Sequence, residues 1–370
     1  RFEESIQSLR TAVSLKNDFA EAYYNMGGAF FDHGDHRSAI ENFQQALKFK
    51  PKYFDALNNL GTVFRVIGDF EAALKSFAQA VKIQPNSADI YFNIGVLLHD
   101  RGDNEEAINA YVKAISLKSD CAAFYNNLGI ALKDTGAKGK ALEAYEKAIS
   151  INPNYFEAYN NVGVVLNGQG KRKEAIEAYQ KALDINPDYD DAYANIGVSL
   201  KRTVFSEHSD CLQRITVSLL ERKTFVNPKD ISDAAISLLK LDPSLQSLSK
   251  QHLASDSPKS TQMLVEKLSE SSLLIKLLGV SPITDIDLEV WLTNIRSALL
   301  STILDFTATP NILRFQSALA LQCYTNGYIY AQTDIENKMV EALDASVIKM
   351  LSKGEQPSPQ LILCLASYKS

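Results

Sequence analysis

Cysteine, histidine and tryptophan are scarce, with four, five and one respectively in 370 residues. The four cysteines, Cys121, Cys211, Cys323 and Cys364, stand far apart and form no CxxC pair. That spacing excludes a disulfide framework or a zinc ribbon, and it fits a reducing, cytoplasmic compartment. No Asn-x-Ser/Thr sequon occurs, which agrees with that compartment. Long apolar runs are absent too: the richest stretch, Leu273 to Val280, is short and carries Lys276, so no membrane span is expected. Nor is there an excess of positive charge. Lys and Arg number 38 against 44 Asp and Glu, a net charge of −6, and a nucleic-acid surface needs clustered cations. The opening Arg1-Phe2-Glu3-Glu4 has neither an initiator Met nor an apolar leader, so it reads as a cut and not as a signal peptide. What remains is a chain 46% hydrophobic, too apolar to be disordered.

That apolar content is periodic. Asn-Met-Gly at 25–27 returns as Asn-Leu-Gly at 59–61, Asn-Ile-Gly at 93–95, Asn-Leu-Gly at 127–129, Asn-Val-Gly at 161–163 and Asn-Ile-Gly at 195–197. The step is 34 residues, without insertion. A second series keeps it: Ala39, Ala73, Ala107, Ala141 and Ala175, each followed seven residues later by another alanine. Each unit reads as two helices of about a dozen residues. Gly34, Gly68, Gly102, Gly136 and Gly170 separate the two, where a left-handed backbone ends the first helix without a Cβ penalty. Pro51, Pro85, Pro153 and Pro187 close the second helix, with Ser119 in the remaining unit. Small residues at fixed points allow close helix approach, and Phe43, Phe77, Tyr111, Tyr145 and Tyr179 fill the gaps.

These positions resemble the tetratricopeptide repeat (TPR) family, whose unit has the same length and order of small and aromatic residues. The resemblance implies an all-α fold, a right-handed superhelical solenoid followed by a C-terminal helical domain. The expected division is a solenoid over 1–203 and a capping helical domain over 204–370. The solenoid comprises a half repeat at 1–19, five full repeats at 20–189 and a last first helix at 190–203. One helix pair cannot bury its own apolar face, so stacked pairs share a core and the first helices line the inner wall.

The wall should carry the function. Its sixth position is Asn in all six first helices: Asn25, Asn59, Asn93, Asn127, Asn161 and Asn195. A carboxamide offers one acceptor and two donors, enough to pair with the backbone of an extended peptide without reading its side chains. Helices about 8–10 Å apart would set one Asn against roughly three residues of a strand rising ~3.3 Å per residue, so a ligand of about fifteen to twenty residues would engage. The competing reading is that these amides bond to neighbouring helices and recognise nothing. Six residues along the wall stand Phe31, Arg65, His99, Lys133, Asn167 and Lys201, a variable row suited to side-chain selectivity, with Arg65, Lys133 and Lys201 favouring acidic stretches.

The ladder is similar to the TPR arm of protein O-GlcNAc transferases, which implies that these six Asn hold substrate backbone. No catalytic constellation accompanies it: there is no G-x-S-x-G elbow and no Cys–His pair, and His33, Asp35 and His36 fall at a hairpin turn where no metal site is expected. Neither metal nor cofactor is expected, and the chain does not read as an enzyme. Beyond Lys201 the period is lost, and helices separated by Pro228, Pro243, Pro258, Pro282, Pro310 and Pro359 follow. Among them are an amphipathic helix containing Trp291 and a capping box at Thr333–Glu336. The run from Phe315 to Tyr330 is similar to the helical segment between repeats and catalytic domain in bacterial TPR proteins fused to S-adenosylmethionine-dependent methyltransferases, although Gly327 stands where an acidic residue would be expected. Two functions therefore come forward. One is a protein-interaction scaffold gripping an extended peptide; the other is a substrate-recruiting or homodimer-forming arm of a larger methyltransferase or glycosyltransferase.

Overall fold

The computed structural model describes residues 2–222, 225–251, 258–305, 309–326 and 332–368. Among them every regular element is a helix. The chain divides into two compact units, Arg1–Tyr189 and Asp190–Ser370.

The first unit begins with a lone helix, α1 (Phe2–Leu15), and continues as five hairpins. These are α2 (Ala20–Asp32) with α3 (His36–Phe49), α4 (Phe54–Val66) with α5 (Phe70–Ile83), α6 (Ala88–Arg101) with α7 (Asn104–Leu117), α8 (Ala122–Asp134) with α9 (Lys138–Ile151), and α10 (Phe156–Asn167) with α11 (Arg172–Ile185). The turn glycines expected to be left-handed are so: Gly34, Gly68, Gly102, Gly136 and Gly170 have φ between 81° and 94°. Behind two of them the second helix is capped by an aspartate, Asp35 accepting from the Ser38 N–H and Asp69 from the Ala72 N–H, each at 3.0 Å. His33 and His36 serve the same turn: His33 stacks on Phe2, with ring centroids 4.0 Å apart, and His36 opens α3.

Within each hairpin one contact sets the packing distance. The glycine of the Asn-x-Gly signature lies against the ring sixteen positions later, so a Cβ at Gly61 would sit 2.5 Å from Phe77 and one at Gly129 the same distance from Tyr145. Phe43, Phe77, Tyr111, Tyr145 and Tyr179 are all buried there. The phenol of Tyr145 has no hydrogen-bond partner. Phe43 and Phe77 fill the same place without a hydroxyl, so Tyr145→Phe is expected to leave stability unchanged or raise it by up to about 1 kcal/mol in urea unfolding. Burial raises the Tyr145 phenol above its ordinary value. The folded state therefore loses stability as pH climbs past the ordinary phenol value of about 10, and the Phe variant should unfold less steeply in alkali.

The second unit opens with α12 (Asp190–Leu200), the last helix to carry the repeat signature. The expected boundary at 203 thus differs from the division of the chain after Tyr189. The physical reason lies sixteen residues beyond Gly197, where Gln213 stands and no ring is available. Gly197 instead meets Val226, whose Cβ would be 3.1 Å from an added Cβ, while Tyr193 stacks on Phe225 and lies under the guanidinium of Arg222. The period continues in sequence while the packing partner changes.

The remaining helices are α13 (Asp210–Glu221), α14 (Ser232–Leu241), α15 (Pro243–Gln251), α16 (Pro258–Glu270), α17 (Ser272–Val280), α18 (Ile286–Thr302), α19 (Pro310–Asn326), α20 (Asp334–Ser352) and α21 (Pro359–Ala366). Four prolines expected between helices are in fact their first residues, where the missing N–H costs nothing and φ is already helical. Trp291 lies on α18, and the Thr333–Glu336 capping box opens α20 as expected. Residues 327–330, the end of the Phe315–Tyr330 run and the site of the Gly327 expectation, lie outside the described residues. No helix among the described residues is long and apolar enough to cross a membrane, and no group of His, Cys, Asp and Glu among them is placed to hold a metal.

Candidate functional site

The first helices of successive hairpins, α2, α4, α6, α8 and α10, touch one another in order. Each presents one stripe made by positions three and four apart. On α4 it runs Asp55, Asn58 and Asn59, Thr62, Arg65; on α6, Asp89, Phe92 and Asn93, Val96, His99; on α10, Glu157, Asn160 and Asn161, Val164, Asn167. On these three helices the stripe is acidic at the start, amide-bearing next, mostly apolar in the middle and polar at the end, whereas α8 has Ala123 at the acidic place and α2 has Phe31 at the polar one.

Three of the amide rungs are tied to the helix before them. Asn59 Nδ2 donates to Tyr24 Oη at 3.2 Å, Asn93 Nδ2 to Asn58 Oδ1 at 2.8 Å, and Asn161 Nδ2 to Asn126 Oδ1 at 3.0 Å. In each case the acceptor is the residue just before the ladder position of the preceding hairpin. Phe92 holds that place for Asn127 and offers no acceptor, so Asn127 Nδ2 turns to its own helix and donates to the Ala123 carbonyl at 2.9 Å. Part of the competing reading is thus present, since one N–H of each of these four amides is already used within the chain. What stays open is a second N–H and the Oδ1 atom, which in none of the four has a hydrogen-bond partner among the described residues. The four side chains are half-buried. These bonds, to the preceding helix or for Asn127 to its own, fix the plane of each carboxamide, so binding would not have to freeze it.

Five of the six ladder residues belong to the first unit. Asn25 is exposed on α2, whereas Asn195 lies on α12 and so in the second unit, together with Lys201. Asn167 ends α10, half-buried, and Phe31 is likewise half-buried on α2.

The cationic row differs more. Arg65 Nη1 pairs with Asp100 Oδ2 at 2.5 Å, His99 Nε2 meets Asp134 Oδ2 at 2.9 Å, and Lys133 Nζ lies 3.2 Å from Asp134 Oδ1. Lys201 Nζ pairs with Asp230 Oδ2 at 3.0 Å. Burial alone would raise the Asp134 carboxyl, but hydrogen bonds from His99 and Lys133 outweigh it and hold the group below the usual carboxylate range. Expecting Arg65, Lys133 and Lys201 to favour an acidic ligand therefore needs correction: an aspartate of the chain itself already neutralises each. Asp100 and Asp134 lie 35 residues from Arg65 and His99, which they meet on the previous first helix, whereas Lys133 pairs with its neighbour Asp134 and Lys201 with Asp230 beyond the repeats. A repeat-by-repeat reading aligns residues at 34 and misses the stagger of one.

The second unit holds an open polar cleft of about 740 Å³ whose lining includes Asp210, Arg214, Asp242, Lys267 and Glu270. Its charges are of both signs and converge on no single ligand.

Comparison with known families decides the architecture. Residues 1–34, 95–136 and 166–203 match a "TPR repeat" model, and three "Tetratricopeptide repeat" models match 24–88, 122–155, and 76–109 with 144–177. Together the matches run without a gap over residues 1–203, more than half of the chain. The chain belongs to the tetratricopeptide repeat family. Solved structures similar to this TPR protein include MamA, at 33% identity over 44% of this chain and 95% of that one, with a TM-score of 0.40. YrrB, described as "a TPR protein with an unusual peptide-binding site", is 21% identical over 50% of this chain and 96% of its own, with a TM-score of 0.41. PilW, a "widely conserved type IV pilus biogenesis factor", is 18% identical over 58% of this chain and 97% of its own, at 0.49. Curated proteins give no match. As a TPR protein the chain is a scaffold for protein–protein interaction.

Proposed function

We propose that the first unit binds an extended segment of a partner protein along its first helices, through the carboxamides of Asn59, Asn93, Asn127 and Asn161. The observation that carries this reading is the state of those four side chains: half-buried, oriented by a bond that uses one donor, and each retaining an unpaired Oδ1 and a second N–H. An acceptor and a donor on one planar group match the N–H and C=O of a peptide backbone. Each such bond nets about 0.5–1.5 kcal/mol, so several rungs must act together. All four cysteines are free thiols, two of them buried, which suits action in a reducing compartment.

The test is selection of binders from a library of displayed twelve-residue peptides, followed by the triple substitution Asn93→Ala, Asn127→Ala, Asn161→Ala. Loss of three bonds at about 1 kcal/mol each should weaken the selected peptides at least tenfold. Helical unfolding of the protein should shift little, because only two interhelix side-chain bonds disappear with the substitution. Undiminished affinity in a folded triple variant would remove the ladder from the mechanism.

A further inference from the structure

We infer that the partner segment is cationic on one edge and aliphatic on the other; this rests on the ladder reading and names the class of peptide it takes. Three independent features of the wall point the same way.

The first is charge. The first helices α2, α4, α6, α8 and α10 carry seven carboxylates and three Lys or Arg. All three cations are neutralised within the chain: Arg65 by Asp100, Lys133 by Asp134, and Arg101 by Asp103 at the start of α7. The carboxylates are not all matched. Glu21 is paired with Lys50 at 3.0 Å, while Asp55, Asp89 and Glu157 have no ion-pair partner among the described residues. These three occupy the second position of α4, α6 and α10. A carboxylate there also favours the helix dipole, but that stabilisation does not hide its charge from a ligand. Asp55 and Asp89 are exposed and Glu157 is half-exposed.

The second is the polarity of the rungs. Each of the four oriented amides has donated an N–H, three to the preceding first helix and Asn127 to its own, and shows an oxygen without a partner among the described residues. Each carboxamide oxygen has two lone pairs beside one remaining N–H, so after a backbone N–H is bound one acceptor site per rung is left over for a further donor, which Lys and Arg side chains supply.

The third is the order along the stripe. Asp55, Asp89 and Glu157 lie one helical turn from the amides on one side, and Val96, Ile130 and Val164 lie about one turn from them on the other. A strand whose backbone runs over the amides sends successive side chains to opposite edges, because its side-chain period is two. One edge then meets carboxylates and the other meets apolar side chains. Alternating basic and aliphatic residues satisfy both.

The probes are three fluorescein-labelled twelve-residue peptides alternating Lys–Val, Glu–Val and Lys–Ser, measured by anisotropy against the full chain. Lys–Val should bind, Glu–Val at least tenfold more weakly, and Lys–Ser in between. Raising salt from 0.05 to 0.5 M should weaken Lys–Val severalfold. The triple change Asp55→Asn, Asp89→Asn, Glu157→Gln should bring Lys–Val and Glu–Val within about twofold of each other. If Glu–Val binds the unaltered protein as tightly as Lys–Val, or if the neutralised variant keeps the full preference, the cationic assignment is wrong. The ladder has its own control: the Asn93, Asn127 and Asn161 alanine variant should lose Lys–Val binding while its wall keeps every carboxylate. Binding that survives the alanines but not the neutralisation would overturn the ladder reading and leave the cationic preference as a diffuse electrostatic contact instead of a backbone grip.

Discussion

Gly27→Ala and Gly28→Ala, adjacent substitutions in the middle of α2, are expected to move stability in opposite directions. A Cβ at Gly28 meets nothing within 4 Å. There alanine gains only its better helix propensity, about 0.8–1 kcal/mol. A Cβ at Gly27 would lie 2.7 Å from both Cδ1 and Cε1 of Phe43. The ring cannot step aside, since Phe43 is wholly buried among Ala39, Ala46 and Ala56. Overpacking of this kind costs about 1–3 kcal/mol and sometimes more, which outweighs the propensity gain. A net loss of about 1–2 kcal/mol at Gly27 against a gain of up to about 1 at Gly28 should appear as opposite displacements of the urea midpoint. The same loss is expected for Gly129→Ala, whose Cβ would sit 2.5 Å from Tyr145. Adding Phe43→Leu to Gly27→Ala should recover part of the deficit, because the leucine vacates the space the Cβ needs. Equal effects at the two glycines would mean that the close approach of α2 to α3 does not set the hairpin geometry.

That pair of glycines also shows which features a one-dimensional pattern carries. Every hairpin of the first unit was legible because a single spacing, glycine to ring at sixteen, repeats with the period of the helices it joins. The turn glycines were legible because positive φ selects them. The wall was legible as to which residues occupy it, and less so as to what they touch. Asn58-Asn59, Asn126-Asn127 and Asn160-Asn161 are doubled in the sequence, and the first Asn of two such pairs accepts from the ladder Asn one repeat later. The doubling was the available signal. It went unread because the bond spans 35 residues, one more than the repeat, and that offset comes from the stagger between adjacent first helices. The same offset hid Asp100 and Asp134 behind Arg65 and His99. At the end of the repeats the signature at 195–197 persists while Gln213 stands where the ring is expected, so the repeat pattern reaches 203 although the packing partner of its last glycine changes to Val226. In the second unit no period exists, and only local devices such as proline starts and the capping box could be read in advance.

One of those local devices has consequences well beyond its helix. Glu336 is buried, and Oε2 accepts from the backbone N–H of Thr333 at 2.8 Å and from its hydroxyl at 2.9 Å. The other oxygen, Oε1, accepts from Tyr368 Oη at 3.1 Å. The Tyr368 ring lies under the guanidinium of Arg296 at 4.2 Å, and Arg296 Nη1 donates to the Ser367 carbonyl at 3.2 Å. A single carboxylate thus joins the start of α20 to the segment after α21, and through Tyr368 to α18. Glu336→Ala leaves the buried Tyr368 hydroxyl without an acceptor, at about 1–3 kcal/mol, and removes the capping-box bonds of the exposed Thr333, so a loss of about 2–3 kcal/mol is expected. Hydrogen exchange should show it as early opening of α20 and the C-terminal segment, with α2 to α11 unaffected. The pH dependence has a definite sign. Burial by itself would raise the Glu336 carboxyl, but hydrogen bonds from Thr333, Ser297 and Tyr368 outweigh it and hold the group below its ordinary value. A carboxyl lowered in the folded state contributes stability that is present above the unfolded value of about 4.3 and lost as pH falls through the folded one. The α20 amides should therefore lose protection below about pH 4.5, and Glu336→Gln, which cannot titrate, should flatten that loss while starting from lower stability. An acid slope unchanged in the Gln variant would assign it to other carboxylates and leave Glu336 with a capping role alone.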